Sequence, residues 1–260
     1  MLNLSTEEHA YFVGFVQGDG SLYSNTRNRG KLCIELAERD KDILLRFKNM
    51  LDCKSYLHTR TRDTNFKKNY TCSALSIHSL EFRNDLVLNG IPYGKKSETI
   101  MPPSNPNLNK IGYIRGLIDS DGSLGLTSTG KPFISFCTKS EPIKEYYLTF
   151  IENLVVYKPM VEKNNRDSIY NIMLMGRKAQ VVTDALYSNA SIGLKRKIDK
   201  AAKVSGWVID PSLRKECSKK FWTPAEDEFI KTHSSKESVD KLKRTRQSVS
   251  LRLWRLNKHV

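Results

Sequence analysis

No stretch of this chain approaches the roughly 18 consecutive apolar residues that a bilayer-spanning helix requires, so no membrane span is predicted. The first residues, Met1-Leu2-Asn3-Leu4-Ser5, lack the basic-then-apolar layout of a secretion signal. Cysteine is scarce. The five residues Cys33, Cys53, Cys72, Cys137 and Cys217 are odd in number and never spaced Cys-x-x-Cys. That argues against a disulfide framework and a thiolate zinc site, and suits reduced thiols in an intracellular protein. His9, His58, His78, His233 and His259 are too dispersed for an imidazole metal cluster. Acidic residues are also in deficit, 28 Asp and Glu against 43 Lys and Arg, which leaves a formal charge of +15. Such an excess favours a polyanionic partner, because each neutralised phosphate releases condensed counterions. No basic amphipathic helix of the membrane-lying kind is visible, so nucleic acid is the favoured partner.

What the chain does have is a duplication. An apolar helical run, Phe12-Val13-Gly14-Phe15-Val16, ends in Gln17-Gly18-Asp19-Gly20 and is followed by Ser21-Leu22. About 100 residues later Ile114-Arg115-Gly116-Leu117-Ile118 ends in Asp119-Ser120-Asp121-Gly122, followed by Ser123-Leu124. One such run reads as a helix with a glycine stop. Two imply a duplicated fold whose halves meet at these helices, with Asp19 and Asp121 side by side on a pseudo-twofold axis. Gly14 and Gly18 in one copy, and Gly116 and Ser120 in the other, place small residues on one helix face, so the backbones can approach closely. Further matches follow: Gly30-Lys31-Leu32-Cys33-Ile34 with Gly130-Lys131-Pro132-Phe133-Ile134, and Leu86, Asn89 and Lys95 with Leu186, Asn189 and Lys195. In that alignment the second copy is two residues shorter between tag and strand.

The pattern predicts an α+β fold of two α-β-β-α-β-β-α halves, with two antiparallel sheets and helices on one face. Residues 1–100 form the first half, 101–110 a Pro/Asn-rich linker and 111–204 the second half. Ser5 and Glu8 have capping-box spacing at the first helix, and Asp40 precedes the next. Strand pairs are expected over 21–37, 55–78, 123–138 and 156–175. Helices are expected near 80–88, 141–155 and 178–188. After a second linker, 205–220, residues 221–260 change character. Thr223, Pro224, Glu226 and Asp227 mark a helix start. A short second helix over 235–242 and a third over 245–256, capped by Thr245, follow. Trp222, Phe229, Val239, Leu242, Val249, Leu253 and Leu256 supply a small core, and Arg244, Arg246, Gln247, Ser250 and Arg252 surround the last helix. This is the layout of a helix-turn-helix module with its recognition helix last.

Two carboxylates at helix C-termini face the negative ends of two dipoles and each other. A divalent cation offsets both penalties, and hard oxygen ligands suit Mg²⁺, with Mn²⁺ or Ca²⁺ able to occupy the same sites.

The paired tags resemble the LAGLIDADG motif of homing endonucleases, over residues 5 to about 203, in its two-motif, monomeric form. The segment beyond resembles a Myb/SANT-type helix-turn-helix. The first resemblance implies a site-specific, metal-dependent double-strand DNA endonuclease of the intron-homing kind. It assigns metal binding and catalysis to Asp19 and Asp121, with Gly18 and Ser120 beside them in the metal set. The first copy departs from the motif at Gln17 and Gly18. A lysine near the start of each half's last helical region would stabilise charge on the reacting phosphate. The internal register prefers Lys95 and Lys195, with Lys96 and Lys197 as close alternatives. Glu38 and Thr138 match positions that order a water shell.

The open hairpin faces are expected to read double-stranded DNA, since a two-stranded ribbon fits the major groove. In the first half the candidates are Tyr23, Asn25, Arg27, Asn28, Arg29, Lys31, Arg60, Arg62, Lys68 and Asn69. In the second they are Thr127, Thr129, Lys131, Ser135, Lys163, Asn164, Arg166 and Asn171. In the C-terminal module they are Arg244, Arg246, Gln247 and Ser250. A non-catalytic DNA-binding regulator and an RNA-splicing maturase remain open. An intein is disfavoured, because neither an N-terminal nucleophile block nor a C-terminal His-Asn is present.

Overall fold

The computed structural model describes residues 1–63, 68–208 and 222–257. Cys217, Phe221, His259, most of the 205–220 linker and the centre of the charged 63–68 loop lie outside them. The chain divides into two compact units, Met1–Val208 and Ile209–Val260.

The first unit is built around two helices, α1 (Glu7–Asp19) and α4 (Lys110–Asp121). In α1 every residue from Ala10 to Gln17 is buried, and in α4 every residue from Gly112 to Asp119. A helix apolar around its circumference has no solvent face and must sit inside the molecule. Small residues let the pair approach closely. A methyl group added to Gly14 would lie 2.1 Å from the carbonyl oxygen of Tyr113, and one on Gly116 2.1 Å from that of Tyr11. The α1 N-cap is Thr6, one residue after the expected Ser5; the Thr6 side chain accepts from the backbone of His9.

The first half continues through β1 (Gly20–Ser24), β2 (Gly30–Ala37), a 3₁₀ turn (Glu38–Asp40), α2 (Lys41–Met50), β3 (Ser55–Arg62), β4 (Tyr70–Ile77) and α3 (Leu80–Leu88). Its antiparallel sheet has the order β1-β2-β4-β3. After α4 come β5 (Gly122–Leu126), β6 (Pro132–Thr138), α5 (Glu141–Val155), β7 (Tyr170–Met175), α6 (Gly176–Tyr187) and α7 (Lys195–Ser205). The second sheet has the order β5-β6-β7. One continuous core runs from Leu4 to Ala201 beneath both sheets.

Three expectations need correction. The hairpin expected over 156–175 supplies only β7, joined by a single bridge between Lys163 and Tyr170. Val156 and Ser168 take left-handed backbone conformations, Pro159 can donate no ladder hydrogen bond, and the polar run 162–168 has no apolar alternation to seat a strand. Helix α7 was absent from the expected element pattern, although the resemblance put a helical region near Lys195 and Ile198, Ala201 and Val204 repeat at helical spacing on its inner face. Finally, the two hairpins are equally long. Gly20 pairs with Ile34 and Gly122 with Phe136. The alignment of Ile34 with Ile134 was therefore slipped by two residues. A two-residue slip keeps every side chain on its own face, so the apolar pattern could not reveal it.

The second unit holds α8 (Pro224–Thr232), α9 (Ser235–Leu242) and α10 (Arg246–Asn257). Thr223 and Ser234 each close a full capping box, with Glu226 and Glu237, and Thr245 caps α10 by accepting from the backbone of Ser248 at 3.2 Å. Ile230 and Val249 are its buried apolar residues, whereas Phe229 stacks on His233.

Candidate functional site

Helices α1 and α4 end beside each other, and this places the two tag acids. A methyl group on Gly18 would sit 2.1 Å from the Ser120 hydroxyl and 2.8 Å from the Asp121 carboxylate. Asp19 and Asp121 keep their side chains open to solvent at the surface. Desolvation, then the charge of Asp121, push the Asp19 carboxyl up to about 6, against Lys197, Lys96 and Arg196. Asp121 is also raised, chiefly by desolvation. Burial, and for Asp19 the neighbouring carboxylate, therefore work against ionisation despite the nearby cations.

The residues just inside the acids fasten the helices to each other, and they explain the departure at Gln17. The Tyr11 hydroxyl donates to Asp119 at 2.8 Å, and in mirror image the Tyr113 hydroxyl donates to the Gln17 side-chain oxygen at 2.6 Å. Asp119 also accepts from the Tyr187 hydroxyl and the Leu194 backbone, so it serves only as an acceptor. Gln17 must in addition donate to the Met101 carbonyl at 2.7 Å, which a carboxylate cannot do. The matched positions of Tyr11 and Tyr113 in the two copies could have exposed this crossed pair.

Two lysines reach the site, and they are Lys96 and Lys197. The Lys96 ammonium donates to the carbonyls of Val16, Gln17 and Gly18 at the end of α1. The Lys197 ammonium donates to those of Ile118, Asp119 and Gly122 at the end of α4, at 2.5, 2.8 and 2.9 Å. Each uses its three donors on helix-terminal carbonyls, where the dipole favours a cation. Desolvation lowers both to about 8, while the tag acids hold them up. Lys95 and Lys195, the preferred pair in the sequence register, are exposed. The second copy carries two more residues between its glycine and the lysine that reaches the site, so exact-offset alignment chose the neighbours.

Lys96 occupies the Gly18 carbonyl, and the Ser120 hydroxyl donates back to Gly116 and Leu117 within its own helix. These two therefore offer a metal less than the acids do. Among the described residues no group of three or more His, Cys, Asp and Glu is placed to hold a metal ion. Two carboxylates nevertheless fit Mg²⁺, which keeps several waters and takes its remaining ligands from substrate phosphate. Thr138 lines the cleft beside Asp121 with Cys137, Lys139 and Lys96. Glu38 is held by Ser73 and Lys41 instead. Asp40 makes no cap hydrogen bond to α2; its carboxylate takes Arg196 at 3.1 Å.

On the first sheet's open face stand Tyr23 on β1, Lys31 on β2, and Arg60 and Arg62 on β3. Glu35, unnoticed in the sequence, bridges both arginines from β2. Asn25, Arg27, Asn28 and Arg29 form the exposed β1–β2 loop, which buried Arg83 anchors by donating to the Asn28 carbonyl at 2.6 Å. Lys68 and Asn69 lie exposed before β4. In the second half Thr127 and Thr129 bond each other and Lys131 is exposed. Ser135 and Asn171 lie on the open face. Lys163, Asn164 and Arg166 fall on the segment that replaces the missing strand; Arg166 is paired with Asp167 and Lys163 lies over the Tyr170 ring. In the second unit Arg246, Gln247 and Ser250 are exposed on α10. Arg244 instead pairs with Glu226 and stacks 4.0 Å from the Trp222 ring centre.

No protein-family model and no curated protein matches this sequence. Solved structures do. The meganuclease I-SmaMI bound to an uncleaveable DNA has 11% identity and a TM-score of 0.50 over 75% of this chain and 88% of its own. The I-LtrWI LAGLIDADG homing endonuclease bound to target DNA has 12% identity and a TM-score of 0.48 over 78% and 89%. Full-length DUF199/WhiA from Thermatoga maritima has 14% identity and a TM-score of 0.49 over 99% and 92%. At such identities the likeness to the first concerns the fold alone, an α+β fold with antiparallel sheets.

Proposed function

We propose that this protein is a metal-dependent DNA endonuclease that cuts both strands of a specific duplex site, acting as a monomer. The observation that carries this reading is the pair Asp19 and Asp121 at touching helix ends, each beside a lysine bonded to the carbonyls of that helix end, Lys96 half-buried and Lys197 buried. Asp19 and Asp121 would hold the divalent metal. The bound ion would supply Lewis-acid charge at the phosphate and a more acidic water. The chain's own part is to hold the two carboxylates at fixed spacing, with Lys96 and Lys197 adding positive charge behind them. The open sheet faces bind and orient the duplex. The last helix of the second unit, through Arg246, Gln247 and Ser250, adds contacts as a helix-turn-helix module would.

The test is incubation of the full chain with a randomised duplex library and Mg²⁺, followed by sequencing of the cut ends. One site cut on both strands, with short 3′ overhangs, is the expected result. Selective binding without any cut would reject catalysis in favour of a DNA-binding regulator.

The lysines provide a second measurement. Lys96→Met and Lys197→Met should each slow single-turnover cleavage about 10²-fold at saturating enzyme, the size of effect seen when one charge-stabilising donor is removed. Each should also lower stability by about 1–3 kcal/mol, because buried carbonyls lose their donor. Lys95→Met and Lys195→Met should leave the rate unchanged. Equal rates in all four variants would remove lysine from the reaction.

A further inference from the structure

We infer that the β5-β6-β7 sheet reads its half of the DNA target largely through thymine methyl groups, with α7 gripping the backbone beside it. This rests on the proposed DNA-cutting function and concerns how that same surface chooses a sequence.

The strand register identifies the side chains on the open face. Ser123 and Gly125 of β5 stand opposite Ser135 and Phe133 of β6, and Phe133, Ser135 and Cys137 stand opposite Met175, Met173 and Asn171 of β7. The alternate residues Leu124, Ile134, Phe136, Ile172 and Leu174 point into the core. The strand residues of this open face therefore carry no charge, and Lys131 lies beyond them in the β5–β6 loop. The corresponding face of the first sheet carries Lys31, His58, Arg60 and Arg62, with Glu35 between the arginines. A major groove read by the first sheet meets hydrogen-bonding cations. A groove read by the second meets mainly hydroxyls, one amide and a sulfur-and-ring surface.

That surface is graded. Beside the acids, Cys137 lines the cleft that contains Asp121, and Asn171 is its cross-strand partner. Asparagine pairs in two places with adenine and with no other base edge as well. Farther out, Met173 is 51% and Met175 44% exposed, with half-buried Phe133 opposite Met175. A flat, uncharged sheet face with exposed methionines is an aggregation hazard unless something covers it. Among the groups in the major groove, the thymine methyl is the apolar one.

Two observations point to DNA as the cover. The face is continuous with the candidate active site, so a duplex lying across Asp19 and Asp121 passes over it. It is also flanked by cations: Lys200 and Lys203 of α7 line the same groove as Gly125 and Phe133. Among the described residues the first half has no helix corresponding to α7. Positive charge has moved from the sheet to its border, where phosphates run and bases do not. Two residues along a strand advance roughly 6.8 Å, about two base-pair rises. The second half-site should therefore show adenine near the cleavage centre, then thymines about two and four pairs farther out.

The experiment begins with selection of bound duplexes from a randomised library by the full chain without Mg²⁺. The selected site is then remade with deoxyuridine in place of thymidine, first in one half and then in the other. The expected result is about fourfold weaker binding for each methyl removed beneath the second sheet, and little change in the other half. Arg60→Ala with Arg62→Ala, which alters preference only beneath the first sheet, identifies the halves. Met173→Gln with Met175→Gln should abolish the uridine effect without changing the fold, since both side chains are exposed. A defined site indifferent to uridine, or rich in G·C beneath β7, overturns the inference while leaving DNA recognition intact. So does a methionine variant that changes oligomeric state rather than base preference. No selected sequence at all would reject the proposed function itself.

Discussion

Asp19→Asn and Asp121→Asn should each lower double-strand cleavage about 10³-fold or more while DNA binding persists. The amide keeps the shape of the side chain and removes the charge that would hold the proposed cation, so chemistry should fail and docking should not. Single variants can retain nicking of one strand. Folding is checked separately, and the sign of the pH effect supplies the check. The Asp19 carboxyl is held at about 6, above its unfolded value near 3.9. The folded protein therefore binds that proton more tightly than the unfolded chain does. Without metal, this group costs stability progressively as pH rises from about 4 to 6, and the full cost stands above that. Asp19→Asn should thus unfold at a higher temperature than wild type at pH 7 in chelator, although it does not cut. An inactive variant that is also less stable would point to a structural role for Asp19. The same shifts predict a bell-shaped rate at limiting Mg²⁺. The acid limb lies near 6, where Asp19 loses its charge, and the basic limb near 8, where Lys96 and Lys197 lose theirs. Saturating Mg²⁺ favours the carboxylate and should move the acid limb lower.

Gly14→Ala and Gly116→Ala should each destabilise the first unit by about 3 kcal/mol or more, toward the top of the usual range for overpacking. The added methyl meets backbone in both cases. At Gly14 it falls 2.1 Å from the Tyr113 carbonyl and 3.1 Å from the Leu117 nitrogen; at Gly116 it falls 2.1 Å from the Tyr11 carbonyl and 2.7 Å from the Phe15 nitrogen. A side chain could rotate away, but two helix backbones in a filled core must separate. That separation would also stretch the bonds from Tyr11 to Asp119 and from Tyr113 to Gln17. Gly206→Ala is the control, since its methyl would find nothing nearer than 3.7 Å. Urea unfolding of the three variants measures the difference. Wild-type stability in Gly14→Ala and Gly116→Ala would mean that the helices are not this close.

Some elements were readable because their local signals are strong. Leu80–Leu88 and Glu141–Val155 were delimited in sequence and occur with those bounds, each opened by a serine N-cap. The first strand pair was placed because Leu32, Ile34 and Leu36 alternate with Lys31, Cys33 and Glu35. The missing strand before β7 shows the limit. Duplication suggested a copy of β3, and the residues at 156–169 could not form one. The lysines show another limit. Adjacent lysines look alike in sequence, and only burial separates Lys96 from Lys95 and Lys197 from Lys195.

The sequence by itself determined that the chain is duplicated, that it is α+β, and that two acids follow two apolar helices closed by glycine. These follow from periodicity, capping and spacing, which act over a few residues. The tertiary structure decided which lysines reach the acids and why Gln17 stands where Asp119 stands in the other copy. It decided that Arg244 belongs to a packed ion pair, and that one sheet faces outward with cations while the other does not. Each of these depends on groups brought together from distant parts of the chain, where burial and hydrogen-bond partners select among chemically similar neighbours.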